Sequence, residues 1–174
     1  ACDRLRGRRN CRVLIGGYGM GFTLRAALAR LGPKAQVTVS ELVPEIIQWA
    51  RGPMADIAAG CLDDPRVRLD MGDVSQAILL APEPLDAILL DVDNGPTAMV
   101  AGSNASLYSR SGLRSIRAAL KRNGRAVFWS AGPDAKFLFK LQNPGFAVQA
   151  IPAKVHAGAK RGAYMLYVAD KVFT

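Results

Sequence analysis

A chain of 174 residues, half of them hydrophobic and 21% charged, has the size and composition of one globular domain with a sizeable core. No apolar run approaches the ~20 residues of a membrane span, and the arginine-rich start is too polar for a signal peptide, so we expect a cytoplasmic protein without membrane contact. The three cysteines, Cys2, Cys11 and Cys61, are odd in number and lack metal-ligand spacing. We therefore expect reduced thiols, no disulfide framework and no bound metal.

The net charge of +9 raises the question of a polyanionic partner such as RNA. The basic residues are dispersed along the chain, however, and no aromatic residues alternate with them. A solvated basic surface is the favoured interpretation, and nucleic acid stays an alternative partner. Residues 1–11 form a basic lead-in without a predicted element, which we interpret as the remnant of an upstream segment.

The first predicted elements are a strand, a tight turn and a helix. A short apolar run over residues 12–15 ends in closely spaced glycines, and an amphipathic run follows over residues 23–31. Glycine lets the backbone turn sharply at a strand end and approach a nucleotide closely. Here glycine recurs at every second position from Gly17 to Gly21, whereas a dinucleotide fold would need its third glycine at Phe22. The observed spacing is typical of sites for S-adenosylmethionine-type nucleosides.

A second apolar run, residues 36–40, predicts a strand that ends in Glu41, twenty positions beyond Gly21. A carboxylate at that place can accept hydrogen bonds from both hydroxyls of a ribose. Together the glycines and the acid favour a nucleoside-binding domain that spans residues 12–174. The alternative is an ordinary turn between strand and helix in an α/β domain.

The later elements continue this alternation of strands and helices. The strand over residues 85–91 carries a continuous apolar run, as expected for a strand buried on both faces of a parallel sheet. The last two strands have no helix between them and are predicted to be antiparallel. The pattern predicts an α/β fold with a doubly wound, mostly parallel sheet of about seven strands and an antiparallel C-terminal pair. Further strands are predicted over residues 66–69, 125–129, 146–151 and 163–169. Helices are predicted over residues 45–51, a short stretch through Ala59, and residues 74–80, 110–122 and 133–142. Asn123-Gly124 is expected to end the helix over residues 110–122.

Acidic residues follow several of the predicted strands. Because ligands of such sheets bind beyond the carboxyl ends of the strands, we expect Glu41, Asp73, Asp91 and Asp93 to line one cleft. Two alternatives stay open. Asp73 can serve only as the N-cap of the next helix, and Asp91 and Asp93 can form an Asx turn with Asn94.

A long loop over residues 92–106 is rich in Asp, Asn, Gly and Pro. A loop of this length in a compact domain is often a lid over a site. It contains Asp93 and Asn94, and Tyr108 follows it. Tyr108 is assigned to the lid, with core packing as the alternative.

Several motifs, in this order, resemble the spermidine synthase family, and in particular its short bacterial spermidine-synthase-like members. The resemblance extends from Arg12 onward and implies a Rossmann-like fold of the class I methyltransferase type. The motifs that carry it are residues 13–28, 41–45, 64–67 with Gly72-Asp73, and 90–96 followed by Leu107-Tyr108-Ser109.

Matched residue by residue, the resemblance implies a ribose-binding acid at Glu41, an adenine-contacting acid at Asp73 and a base at Asp91 that deprotonates the attacking amine. Two positions depart from the family: Gly19 replaces the Asp of its glycine loop, and Asn94 replaces a second Asp after Asp91. The small β-domain that precedes this fold in the family has no counterpart in these residues. The predicted nucleoside-binding residues are Gly16, Gly17, Gly19, Gly21, Glu41, Leu42, Asp73 and Val74, and the acceptor and lid residues are Asp93, Asn94 and Tyr108.

The reaction implied by the resemblance is a displacement at a carbon beside a sulfonium. With decarboxylated S-adenosylmethionine as donor, Asp91 would accept a proton from an amine, the nitrogen would attack the aminopropyl carbon, and methylthioadenosine would leave. A methyltransferase that uses S-adenosylmethionine on a small molecule or RNA is the second hypothesis, and a non-catalytic nucleoside-binding module is the third. The expected partner is a small-molecule amine, and a homodimer is left open.

Overall fold

The computed structural model describes residues 2–8, 10–92, 106–154 and 164–172. Its sheet consists of β1 (Arg12–Gly16), β2 (Gln36–Glu41), β3 (Val67–Met71), β4 (Leu85–Leu90), β5 (Leu120–Ser130), β6 (Phe146–Ala153) and β7 (Tyr164–Lys171). The seven strands lie in the order β3-β2-β1-β4-β5-β7-β6. The first five strands pair in parallel, and β7 is antiparallel to both β5 and β6. The predicted fold class and the antiparallel C-terminal pair are confirmed.

Helices cover both faces of this sheet. They are α1 (Phe22–Leu28), α2 (Pro44–Arg51), α3 (Ala55–Ala58), α4 (Val74–Leu79), α5 (Arg110–Ala119) and α6 (Ala135–Gln142). The side chains of β1 alternate between the two cores: Val13 and Ile15 pack with α1, α2 and α3, whereas Leu14 packs with α4, α5 and α6. All six residues of β4 are buried, as predicted for a strand enclosed on both sides.

The end of α5 differs from the prediction. We expected a helix to Arg122, but α5 ends at Ala119 and β5 begins at Leu120. Leu85 of β4 pairs with Leu120 of β5, and the next pair is Ala87 with Arg125, so β5 has more residues than β4 between the two pairs. The extra residues form a bulge in which Asn123 adopts a φ of 62°, in the left-handed region. The Asn-Gly pair therefore marks a bulge inside a strand and not the end of a helix.

The N-terminal lead-in contains a short 3₁₀ helix, Cys2–Leu5, for which the sequence predicted no element. Cys2 and Leu5 are buried in the same core as α1, while Asp3 and Arg4 form ion pairs with Arg30 and Asp170. Cys2 and Cys11 are free thiols, and burial raises the pKa of each. None of the helices in the described part of the chain has both the length and the apolar character needed to cross a bilayer.

Candidate functional site

The glycine turn lies between the carboxyl ends of β2 and β4. Gly17, Gly19 and Gly21 all have positive φ values, of 84°, 56° and 79°. The Gly17 amide donates to the Ser40 carbonyl at 2.9 Å, and the Asp91 amide donates to the Gly16 carbonyl at 3.0 Å. A Cβ atom at Gly17 would overlap the carbonyl oxygen of Asp91. Glycine is required at this position both by the backbone conformation and by the close approach of β4.

Glu41 ends β2 directly beside this turn. Its carboxylate is buried, with 5% of the residue exposed, and it accepts hydrogen bonds from two backbone amides. Oε2 accepts from the Tyr18 amide at 2.8 Å, and Oε1 accepts from the Val43 amide at 2.9 Å. These bonds fix the orientation of the carboxylate, and each oxygen keeps a further lone pair that can accept from a hydroxyl.

Asp73 follows β3 and is the N-cap of α4, with Oδ1 accepting from the Ser75 amide at 2.7 Å. The ends of β2 and β3 are joined beside it. The Gly72 amide donates to the Glu41 carbonyl at 3.0 Å, and the Ser40 hydroxyl donates to the Gly72 carbonyl at 2.9 Å. The capping role considered from the sequence is therefore present, and it leaves Oδ2 without a hydrogen bond from a described residue.

Asp91 follows β4, and its Oδ2 accepts a hydrogen bond from the Thr23 hydroxyl at 3.0 Å. Thr23 lies in the first turn of α1, and the sequence reasoning missed it. The sequence feature that could have indicated Thr23 is a hydroxyl side chain just after the glycine turn. Because β1 and β4 are parallel neighbours, this turn and the end of β4 meet at the same edge of the sheet.

One cavity of about 310 Å³ is lined by all three of these acids, Glu41, Asp73 and Asp91. Gly17 and Gly19 line it as well, and Leu42 and Val74 contribute apolar surface. No Lys or Arg is found among the described residues of its lining. The structure thus brings the three acids together around the glycine turn, in a cavity of the size that small-molecule ligands occupy.

The remaining predicted site residues lie elsewhere. Gly16 packs against the core, where an added Cβ would come within 2.7 Å of Val74 Cγ2, and Gly21 is the N-cap of α1. Asp93 and Asn94 fall outside the described residues. Tyr108, assigned to the lid, is 1% exposed and packs in the core against rings of β5 and α6. Its aromatic ring is buried there because this segment continues into the apolar face of α5.

Comparison with known proteins finds that the chain is similar to polyamine aminopropyltransferases. It is 32% identical over 123 residues to polyamine aminopropyltransferase 1 of Streptomyces coelicolor, covering 70% of this chain and 22% of that protein. It is 29% identical over 121 residues to the polyamine aminopropyltransferase of Korarchaeum cryptofilum, covering 70% of this chain and 36% of that protein. The chain is a relative of the polyamine aminopropyltransferases. The resemblance to the spermidine synthase family is thereby confirmed.

A third relative, the polyamine aminopropyltransferase of Mycobacterium tuberculosis, is 28% identical over 153 residues, which cover 83% of this chain and 28% of that protein. The chain therefore spans roughly a third or less of the length of these aminopropyltransferases. No protein-family model matches it.

Solved structures share the fold over nearly the whole chain. Spermidine synthase in complex with the transition-state analogue AdoDATO superposes with a TM-score of 0.72 at 19% identity, over 99% of this chain and 57% of that one. Human methyltransferase-like protein 13 in complex with SAH gives 0.70 at 17% identity, over 99% of this chain and 77% of that one. The fold is of the class I methyltransferase type.

Proposed function

We propose that this chain binds decarboxylated S-adenosylmethionine and transfers its aminopropyl group to an amine. The observation that carries the proposal is the cavity lined by Glu41, Asp73 and Asp91 without a described Lys or Arg. The decarboxylated donor carries a sulfonium and an ammonium group, and acidic walls attract both. S-adenosylmethionine carries a carboxylate in addition, which the same walls repel. The aminopropyltransferase relatives support this choice.

The nucleoside is held by the residues around the glycine turn. Glu41 accepts the ribose hydroxyls on the lone pairs that its two backbone amides leave open. Asp73, fixed as the cap of α4, faces the adenine, and Leu42 and Val74 cover the base with apolar surface. Because Gly17 has no side chain, the ligand can lie directly against the backbone at this position.

Asp91 acts as the base. Thr23 occupies Oδ2 and orients the carboxylate, so Oδ1 accepts a proton from the ammonium form of the acceptor. The neutral nitrogen forms a bond to the aminopropyl carbon as the carbon–sulfur bond breaks. The bonding electron pair stays on sulfur, which leaves as the neutral thioether of methylthioadenosine. The proton on Asp91 passes to solvent, and the product is a secondary ammonium.

The test compares two donors by calorimetry and by product analysis. We expect the decarboxylated donor to bind at least ~10-fold more tightly than S-adenosylmethionine, since each removed repulsion near a surface contributes on the order of 1 kcal/mol or more. With an amine present, methylthioadenosine should form. Equal or tighter binding of S-adenosylmethionine would contradict the proposal. Binding without turnover over a panel of amines would support the non-catalytic module.

Methyl transfer is the second candidate. The fold is similar to that of human methyltransferase-like protein 13 in complex with SAH, and Gly19 stands where the spermidine synthase family has an acid in its loop. The net charge of +9 would suit an RNA acceptor. Release of S-adenosylhomocysteine from S-adenosylmethionine with RNA or a small amine would establish this function instead.

A further inference from the structure

A second cavity, of about 370 Å³, adjoins the first at Asp91. It lies between α1 and the strands β4, β5 and β7. Asp91 is the one described residue that lines both cavities. Its Oδ2 is bonded to Thr23, which lines only the second cavity. Asp91 therefore stands at the junction of the two cavities.

The floor of the second cavity is a continuous apolar patch on one face of the sheet. Leu89 is paired in register with Val127, and Trp129 is paired with Leu166. Val127 and Trp129 are two residues apart on β5 and point to the same face. These four side chains are therefore neighbours, and together they offer an apolar surface that a hydrocarbon chain or ring can cover.

The polar groups of this cavity are few. Asp3 and Arg30 form an ion pair with Nε and Oδ1 2.9 Å apart, so their charges offset each other. Thr23 is neutral and holds Asp91. Among the described lining residues, Asp91 is left as the one carboxylate without a cationic partner.

We propose that this second cavity receives the acceptor, and that the acceptor is a primary monoamine with an apolar alkyl or aryl body. The inference rests on the aminopropyl transfer proposed above. The ammonium lies at Asp91 and the apolar body lies over Trp129 and Leu166. A diamine would bring its second ammonium onto apolar surface, where no described lining residue offers a free carboxylate to receive it, and leaving that charge unpaired is costly.

In this proposal the donor and the acceptor meet at Asp91, the residue that the two cavities share. The donor reaches Asp91 from the glycine turn, and the acceptor reaches it from the side of β5 and β7. The nitrogen then attacks the aminopropyl carbon from the side opposite sulfur. Proton transfer to Asp91, formation of the carbon–nitrogen bond and departure of neutral methylthioadenosine follow as described for the proposed function.

The first experiment compares hexylamine with cadaverine, two linear amines of equal heavy-atom count that differ in the second ammonium. Methylthioadenosine formation is measured with the decarboxylated donor. We expect kcat/KM for hexylamine to exceed that for cadaverine by at least ~10-fold, from desolvation of the second charge. A preference for cadaverine would overturn the acceptor assignment and leave aminopropyl transfer standing.

Substitutions in the floor sharpen the test. Val127→Thr is nearly isosteric and should raise KM for hexylamine several-fold with donor affinity unchanged, because it places a hydroxyl on the apolar surface. Trp129→Ala should raise it further. Trp49→Ala is the matched control, since Trp49 is 52% exposed on α2 and lines neither cavity. Equal KM values in the Val127 variant and the wild type would argue against binding over this floor.

A binding measurement keeps the assignment testable without turnover. The chain has two tryptophans, so Trp49→Phe leaves Trp129 as the sole indole reporter. Titration with phenethylamine should give a saturable change in its fluorescence, and Asp91→Asn in the same background should weaken binding about 10-fold or more. If no amine yields methylthioadenosine, the proposed function fails and this titration still decides whether the cavity binds monoamines. No saturable change overturns the inference.

Discussion

Carboxylates lie at the side of the sheet where the parallel strands begin, here called the amino edge, and at the side where they end, the carboxyl edge. Their partners differ. At the amino edge Asp86, whose side chain is 4% exposed, accepts hydrogen bonds from Lys121 Nζ at 2.7 Å and from the Arg12 amide at 2.8 Å, with Arg8 Nη1 at 3.4 Å. Asp170 forms a bidentate pair with Arg125, with both distances 2.7 Å. At the carboxyl edge Glu41, Asp73 and Asp91 accept from backbone amides or a hydroxyl and form no ion pair with a described Lys or Arg.

This difference separates acids that stabilise the fold from acids that are available to a ligand. At the amino edge the negative charge is neutralised where the strands begin, and these pairs fasten distant segments together. At the carboxyl edge amides and a hydroxyl orient the carboxylates without neutralising them. Their charge therefore remains for a cationic molecule in the cavity. Substitution at one edge should change stability, and substitution at the other should change binding and turnover.

The largest expected effect is on turnover by Asp91→Asn. The amide cannot accept a proton from the amine, so we expect kcat for methylthioadenosine formation to fall by about 10²–10⁴-fold. The thermal midpoint should change little, because no described cation depends on Asp91. Asp56→Asn, on the exposed face of α3, is the control. A decrease of less than about threefold would remove Asp91 from the role of base.

The next effect is steric and tests the glycine turn. Gly17→Ala combines a φ of 84° with overlap against the Asp91 carbonyl, so we expect about 3 kcal/mol of destabilisation and loss of donor binding. Gly19→Ala is the matched control, because its φ of 56° is also left-handed but an added Cβ meets nothing within 4 Å. It should cost only about 1 kcal/mol. Equal losses of unfolding free energy in the two variants would mean that the left-handed backbone conformation alone requires glycine at position 17, and that overlap with the Asp91 carbonyl does not contribute.

The third effect concerns the amino edge. Asp86→Asn removes the charge that Lys121 and Arg8 face and should lower the free energy of unfolding by about 2 kcal/mol, with donor affinity unchanged. Asp70→Asn, near the carboxyl end of β3, has no hydrogen bond or ion pair to a described side chain and should cost less than about 0.5 kcal/mol. Chemical denaturation and calorimetry on both variants check the comparison. A shift in donor affinity with Asp86→Asn would break it.

The smallest effect is on the pH dependence of stability. Side-chain hydrogen bonds from Arg66 to Asp64 lower the pKa of Asp64 from its usual 3.8 to about 2. Because the folded-state value is depressed, the stabilisation is complete above the unfolded pKa and is lost as the pH falls toward 2. Asp64→Asn should cost about 1 kcal/mol near neutral pH, reduced for partial exposure, and about half of that at about pH 3.

Thermal unfolding of the wild type and Asp64→Asn at the two pH values measures this difference. Asp56→Asn again serves as the control, since its side chain is exposed on α3. A destabilisation that does not shrink on acidification would indicate that the Asp64 variant acts through something other than the lost charge.

The order of elements was predictable because local patterns specify it. The continuous apolar run of β4 and the glycines after β1 depend only on neighbouring residues. The bulge in β5 was not predictable, since Asn123-Gly124 is equally typical of a helix end and of a left-handed bulge. Pairing of Leu120 with Leu85 decides between them, and that contact spans 35 residues of sequence.

The acids of the cavity were predictable as a group, because parallel strand ends meet at one edge whatever the details of packing. Thr23 and the ion pairs of Asp86 were not predictable. Each depends on which residue of a distant segment comes into register: Thr23 lies 68 residues from Asp91, and Arg8 lies 78 residues from Asp86. The burial of Tyr108 was also not predictable from its position, because a place next to the predicted lid does not indicate whether the ring is exposed or buried.

The strand order at the C-terminal edge has a consequence for folding during synthesis. β7 lies between β5 and β6, and among the described strands β6 pairs only with β7. When the ribosome has made β6 but not β7, the free edge of β5 has no antiparallel neighbour and β6 cannot join the sheet. The nascent chain therefore holds an open edge until β7 emerges, and during that interval it is exposed to mispairing with other chains.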